Sequence, residues 1–322
     1  MITLETAYVF AGLIFAAFAI LDAHDRTNPK RAGNALFWAL VAASFLFGSH
    51  LTNLENGILA IALAVLGASG LLGAAPDRCE GDADRARSAK RFGDWIFVPA
   101  LIVPLTALLG SVGLKNIVIA GKPLIAAQQA TVISLALGVL IAGIAAMWWL
   151  RPRPLVPFEE GRRLMDAVGW AAVLPQMLAS LGAVFALAGV GREVGKLVAD
   201  YVPLTYPVAA VAAYCFGMAL FTAIMGSAFA AFPVMTAAIG LPLIVRKFGG
   251  DPAIMSAIGM LSGFCGTLTT PMAANFNIVP AALLGLDRNA VIRVQLPTAF
   301  LLLPCNVILM YVLVFRFGAH LT

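Results

Sequence analysis

The sequence predicts an all-α polytopic membrane protein with about eight transmembrane helices, one re-entrant helical hairpin and one broken helix. Three observations carry this reading. Hydrophobic residues make up 61% of the 322 residues and charged residues 11%, whereas a soluble domain carries about a quarter charged residues. The apolar residues fall in runs of roughly 20, the length that crosses a hydrocarbon core about 30 Å thick. Two of the later runs are interrupted by glycine, proline and polar side chains, at Gly226 and Ser227 and again over 263–280. So few charges cannot cover a soluble surface, which sets aside a soluble enzyme, a disordered chain and a nucleic-acid binder. The net charge of +5 calls for no polyanionic partner, because its excess sits in short loops between apolar runs.

The first apolar segments are 4–21, 33–51, 57–75, 95–114, 124–150 and 164–190. Residues 1–21 lack a basic leader region and a small-residue cleavage site, so they read as a first span. After Tyr201 the apolar sequence is nearly continuous and breaks at 246–251, at 286–293 and beyond Arg316. Alternate loops are basic: Arg26, Lys30 and Arg31; then Arg78, Arg85, Arg87, Lys90 and Arg91; then Arg151, Arg153, Arg162 and Arg163. The intervening loops offer only Lys115 and Lys122. Positive loops face the cytoplasm, which places both termini outside. The loop 151–163, with Pro152, Pro154 and Pro157, reads as a cytoplasmic linker between a scaffold (1–150) and a working part (164–322). Four cysteines (Cys79, Cys215, Cys265, Cys305) and three histidines (His24, His50, His320) are dispersed. That distribution fits neither a disulfide framework nor a metal site.

The working part is where polar groups enter apolar sequence. From 202 to 245 the only ionisable side chains are two tyrosines and Cys215, and from 252 to 286 only Cys265. The lack of buried carboxylates counts against a proton relay in this chain. At the first interruption, Gly226 permits a tight reversal and Ser227 offers a hydroxyl. The alternative is an ordinary helix with Ser227 at a helix–helix contact. At the second, Pro271 strips the Thr267 carbonyl of its helical partner and Pro280 does the same to Phe276. Thr267, Thr269, Thr270, Asn275 and Asn277 cluster there, with Gly263 and Gly266 just before them as hinge or unwinding positions. In a regular helix Asn275 and Asn277 point to different faces. An unwound segment lets both amides converge on one site, whereas a simple proline kink leaves these groups to satisfy one another. Freed helix N-termini attract an anionic group, and freed carbonyls a cation, so a small carboxylate can be held without an arginine.

Ahead of these features, the stretch 187–200 reads as an interfacial amphipathic helix, with Val194 and Leu197 on one face and Arg192, Lys196 and Asp200 recurring at i+4. Pro175 and Gln176 form a weaker polar interruption in the preceding span, with packing the expected role.

The order of these features resembles one repeat of the ion-transporter superfamily that includes divalent-anion/sodium symporters. In that superfamily a surface helix precedes a hairpin with a Ser-Asn-Thr tip and then a broken helix. Here Gly226-Ser227-Ala228 stands at the tip, with Ala228 in place of the asparagine, and Thr270-Pro271 through Asn277 at the unwound stretch. More closely, 266–281 resembles the larger subunit of a two-component bacterial pyroglutamate (5-oxoproline) permease. The resemblance implies an elevator-type half-transporter of the bacterial inner membrane. It also implies homodimerisation through the scaffold and a smaller membrane partner to supply the second repeat, for which a second copy of this chain is the alternative. The missing carboxylates of the working part favour Na⁺ over H⁺ as coupling ion, near Ser227, Thr267 and Asn275. The substrate site it implies comprises Gly226, Ser227, Thr267, Thr269, Thr270, Asn275 and Asn277, with Gly263, Gly266, Pro271 and Pro280 shaping the backbone.

Two other functions compete with this one. An intramembrane hydrolase with Ser227 as nucleophile needs a base in reach, and only His24 and His50 are on offer. A structural assembly subunit would leave the substrate site to its partner. Neither a cofactor nor a resident metal is expected.

Overall fold

A computed structural model describes residues 3–73, 90–113, 118–119, 122–123, 129–201 and 206–317. The expected loop cations Arg78, Arg85, Arg87 and Lys115, as well as Cys79 and His320, lie outside the described residues, and for Lys122 only the backbone is described. The chain divides into two compact units, Met1–Gly169 and Trp170–Thr322.

In the first unit, helix α1 (Leu4–His24) packs along α2 (Arg31–Phe47) through aromatic rings. Phe15 stacks on Trp38 and on Phe45 at centroid distances of 5.5 and 5.6 Å, in the offset range rings prefer. Gly12 brings the two helices together, since a Cβ there would stand 2.6 Å from Leu46. Helix α3 (Asn53–Ala68) starts where Thr52 and Glu55 form a reciprocal capping box, which satisfies two of the donors every helix start leaves open. Helix α4 (Phe97–Val112) pairs with α5 (Ala130–Leu150), where Gly138 faces the Val103 backbone. A two-residue antiparallel ladder, Val118–Ile119 with Lys122–Pro123, lies between them in sequence. The expected linker 151–163 is in large part helix: α6 runs Val156–Val168. Pro157 sits in its opening turn, where no backbone N–H is required. Gly161 sets α6 against Phe18 of α1.

The second unit begins with α7 (Leu174–Leu187) and α8 (Val190–Tyr201). Helix α8 is amphipathic as expected, but its packed residues are Val194 and Val198, while Leu197 stays 58% exposed. The difference is one of phase: 194 and 198 are one turn apart on the face where Gly191 and Gly195 meet the backbone of 234–238. Helix α9 (Pro207–Met225) reverses into α10 (Ala228–Met235), which continues as a π-helix over Thr236–Lys247. Helix α11 (Pro252–Thr269) is capped by Asp251, whose carboxylate accepts from the N–H groups of Ala253 and Ile254. After a break comes a short π segment (Ala274–Ile278), then α12 (Val279–Leu284) and the 30-residue α13 (Arg288–Phe317).

Tyr214, Cys215, Met218, Met235, Ile239, Ile244, Met255, Met310 and Val314 form the core of this unit. The Tyr214 ring fits a slot left by Gly240 and Gly259, and its hydroxyl meets Thr236 Oγ1 at 3.1 Å. Gly266 lies so close to the Ala219 carbonyl that a Cβ would sit 2.1 Å from its oxygen. Small residues at such crossings are the usual means of packing helices in lipid.

Among the described residues, eight helices are long and apolar enough to cross a membrane: Leu4–His24, Lys90–Val112, Ala130–Leu150, Val156–Leu187, Pro207–Met225, Ala228–Lys247, Pro252–Thr269 and Asn289–Arg316. The number agrees with expectation but the membership differs. Both limbs of the expected short re-entrant hairpin reach full span length, while α2 and α3, at 17 and 16 residues, fall just short. Leu101, Leu105, Leu108 and Leu109 of α4 are all more than half exposed. An apolar face of that extent suits acyl chains and not water. The protein is a multi-pass membrane protein.

Two glycine substitutions separate packing from propensity. Gly266→Ala forces a methyl group into the Ala219 backbone and is expected to lower stability by about 1–3 kcal/mol. Gly57→Ala in α3 meets nothing within 4 Å and is expected to gain roughly 0.5–1 kcal/mol from helix propensity. Thermal unfolding in detergent, compared with the native chain, measures both.

Candidate functional site

The two sequence interruptions are two helix breaks, and they face each other. Helix α9 ends at Gly226, whose φ of 80° lies in the left-handed region and whose N–H donates to the Thr222 carbonyl at 2.7 Å. A Cβ at Gly226 would stand 2.8 Å from Met272 Cβ, so only glycine lets the second break approach. Ser227 is extended and opens α10, but its hydroxyl makes no capping bond. The N–H groups of the first turn of α10 therefore have no acceptor within their helix.

At the second break α11 ends at Thr269, Thr270 is extended, and Pro271 and Met272 form a turn. The carbonyls freed by the two prolines both find amide donors. Asn277 Nδ2 donates to the Thr267 carbonyl at 2.9 Å and to that of Thr270 at 2.7 Å. Gln295 Nε2, from α13, reaches the Phe276 carbonyl at 3.4 Å. Thr267 and Thr269 turn their hydroxyls back onto the carbonyls of Phe264 and Gly266. Much of the polar cluster thus repairs the break.

What remains faces a small, partly open cleft of about 20 Å³, about the space of one water molecule. Ser227, Ala228 and Phe229 line it at the start of α10, and Ala273, Ala274, Asn275 and Phe276 at the start of the second broken segment. Two helix N-termini thus converge on one space. Thr267 adds a polar edge, while Phe264, Pro175 and Leu178 close the wall. Phe264 holds Phe229 and Phe276 at ring-centroid distances of 6.3 and 5.7 Å.

Of the residues singled out from sequence, the structure brings Gly226, Ser227, Thr267 and Asn275 to this cavity. Asn277 does not join Asn275 there. It is fully buried, because its amide is held by the end of α11. Thr269 and Thr270 are occupied within the break, and Pro271 and Pro280 shape backbone without lining the space. Gly263 and Gly266 lie in unbroken α11 and do not unwind it. They give way instead to Ala228, Met218 and the Ala219 backbone. Pro175 lines the wall, whereas Gln176 is exposed away from it. The aromatic wall and Leu178 escaped the sequence reading, since isolated apolar residues in an apolar run carry no signal.

The N-termini of α10 and of the segment from Ala274 bring partial positive charge to the cavity, while Gly226 and Thr267 belong to the C-terminal ends of α9 and α11, which carry partial negative charge; no charged side chain among the described residues lines it. Beside the expected Na⁺ position near Ser227, Thr267 and Asn275, the carbonyls of Thr267 and Thr270 accept from the Asn277 amide. No group of three His, Cys, Asp or Glu side chains suited to a metal ion occurs among the described residues.

Fold and cavity together define a multi-pass helical membrane protein with a small uncharged cleft at two opposed helix breaks. The chain belongs to the DUF979 family: the model described as "Protein of unknown function (DUF979)" matches residues 5–315. No curated protein and no solved structure matches it.

The division of labour between the two asparagines is testable by unfolding in detergent. Asn277→Ala strands two buried carbonyls and is expected to cost about 1–3 kcal/mol. Asn275→Ala, which removes an exposed amide, is expected to stay within about 0.5 kcal/mol of the native chain.

Proposed function

We propose that this chain is the membrane subunit of a secondary transporter for a small carboxylate, with 5-oxoproline as the substrate. The observation that carries the proposal is the convergence of two helix N-termini, Ser227 and Asn275 on one uncharged cavity. A carboxylate gains from both helix ends without requiring an arginine. A lactam adds one donor and one acceptor, which the Asn275 amide and the Ser227 hydroxyl can match. The aromatic wall of Phe229, Phe264 and Phe276 suits the flat apolar face of a five-membered ring.

Transport rather than hydrolysis is supported by the lining itself, which among the described residues contains no His, Asp, Glu or Lys to serve Ser227 as a base. The separation of the chain into two compact units after Gly169 fits a carrier region that shifts against a scaffold. In this reading the protein resides in the bacterial inner membrane with both termini outside, and it dimerises through its scaffold. A smaller membrane subunit supplies the second hairpin and broken helix that the superfamily resemblance calls for.

Uptake of labelled 5-oxoproline by cells expressing this chain with its smaller partner tests the proposal. Asn275→Ala and Ser227→Ala are each expected to reduce uptake at limiting substrate about tenfold, the effect of losing one hydrogen bond to a charged ligand. Native-level uptake by both variants, or none by the native pair, would overturn it.

A further inference from the structure

The cleft between the two breaks sorts ligands first by size. It offers about 20 Å³, about the space of one water molecule. A monatomic ion little larger than water enters such a space as it stands, whereas an organic acid enters only if the walls part.

Hydrogen-bond donors dominate what faces this space. Ser227 is 7% exposed and lines the cleft, and among the described residues its hydroxyl has no partner. The first main-chain bond of α10 runs from the Ala231 N–H to the Ser227 carbonyl. That of the helical segment Ala274–Leu284 runs from the Asn277 N–H to the Ala273 carbonyl. The N–H groups ahead of these bonds, on 228–230 and 274–276, therefore lack acceptors in their own helices. Ala228, Phe229, Ala274, Asn275 and Phe276 bring most of them to the wall of the cleft. Asn275, exposed there, adds a side-chain amide without a partner among the described residues.

The acceptors beside the cleft are engaged. The Thr267 carbonyl accepts from Asn277 Nδ2 at 2.9 Å, and the Thr267 hydroxyl donates to the Phe264 carbonyl at 2.6 Å. Asn277 Oδ1 is buried without a donor, but Asn277 is not part of the lining. The donors thus call for an anion. Which anion follows from the rest of the wall, where Pro175, Leu178, Phe229, Phe264 and Phe276 are apolar and no charged side chain among the described residues takes part. Removing the water from a multiply charged or strongly hydrated anion costs more than neutral donors return. The lining therefore selects a univalent, weakly hydrated one.

We propose that the cleft binds a halide ion, chloride in ordinary solution, on the Ser227 hydroxyl and the first-turn N–H groups of 228–229 and 274–276. Two helix N-termini supply the partial positive charge that holds an anion in place of a basic side chain. The donors are those the transport reading gives to a carboxylate, so chloride and an organic acid exclude one another from the cleft. Halide binding itself does not rest on that reading, since it requires neither an organic substrate nor a second subunit.

Thermal unfolding of the purified full chain in detergent tests this, with chloride exchanged for gluconate at fixed ionic strength. The midpoint of the native chain is expected to rise by a few degrees as chloride replaces gluconate, equally with Na⁺ or choline as the cation, and bromide is expected to act as chloride does. Ser227→Ala is expected to need about tenfold more chloride for the same rise, the effect of losing one hydrogen bond to an ion. A midpoint indifferent to chloride overturns the proposal. So does a rise that follows Na⁺ whatever the anion, or a chloride response that Ser227→Ala leaves unchanged. Should Ser227→Ala fail to fold, anomalous scattering from bromide in crystals of the native chain decides, by a peak beside Ser227 or by none there. No substrate or partner enters these measurements, so a failed uptake assay leaves the halide site standing, and a failed chloride titration leaves the transport reading standing.

Discussion

A helix that stops inside apolar surroundings leaves carbonyl and N–H groups that water cannot reach, and the second unit is organised around that constraint. Each unmatched group costs on the order of several kcal/mol in hydrocarbon, so a break persists only where side chains repair it. Asn277 does so for α11 by bridging the carbonyls of Thr267 and Thr270. Gln295 performs the same service for Phe276 from a helix distant in sequence. These bonds close the carbonyl side of the second break, and the first-turn N–H groups from Ala274 onward are left facing the cavity.

The two units handle charge by opposite means. In the second, helix ends and neutral side chains face the cavity, with no ionised side chain among the described residues that line it. In the first, ionised groups are buried outright but matched, Arg162 against Asp25 and Asp22, with Trp38 serving Asp166. Burial of an ion pair brings little net stability, whereas breaking one is expensive. Such a cluster fixes the register of α1, α2 and α6 more than it strengthens their association. The stacked rings of Phe15, Trp38 and Phe45 supply the apolar contact around it.

Close backbone approach links the breaks to their surroundings. Gly226 admits Met272, Gly266 admits the Ala219 carbonyl, and Gly182 admits Ala230. A side chain at any of these would push one wall of the cavity away from the others. The glycines that looked like hinges act as spacers of zero thickness, and the unwinding itself falls at Thr270 to Ala273, where proline removes a donor and no small residue is needed.

The sequence by itself determined the membrane class, the places where helices stop, and the carbonyls that the prolines would orphan. These depend on composition, run length and the missing proline N–H, all local properties. Tertiary structure decided which amide answers which carbonyl, since Asn275 and Asn277 differ only in where the unwound backbone points them. It also decided that Phe229, Phe264 and Phe276 form one wall, and that Asp22 and Arg162, 140 positions apart in the chain, meet in the first unit. A lone aspartate at the end of an apolar run reads as the start of a loop. Only the packing of α6 onto α1 removes it from water, and burial is a property of the partner surface that no local pattern encodes.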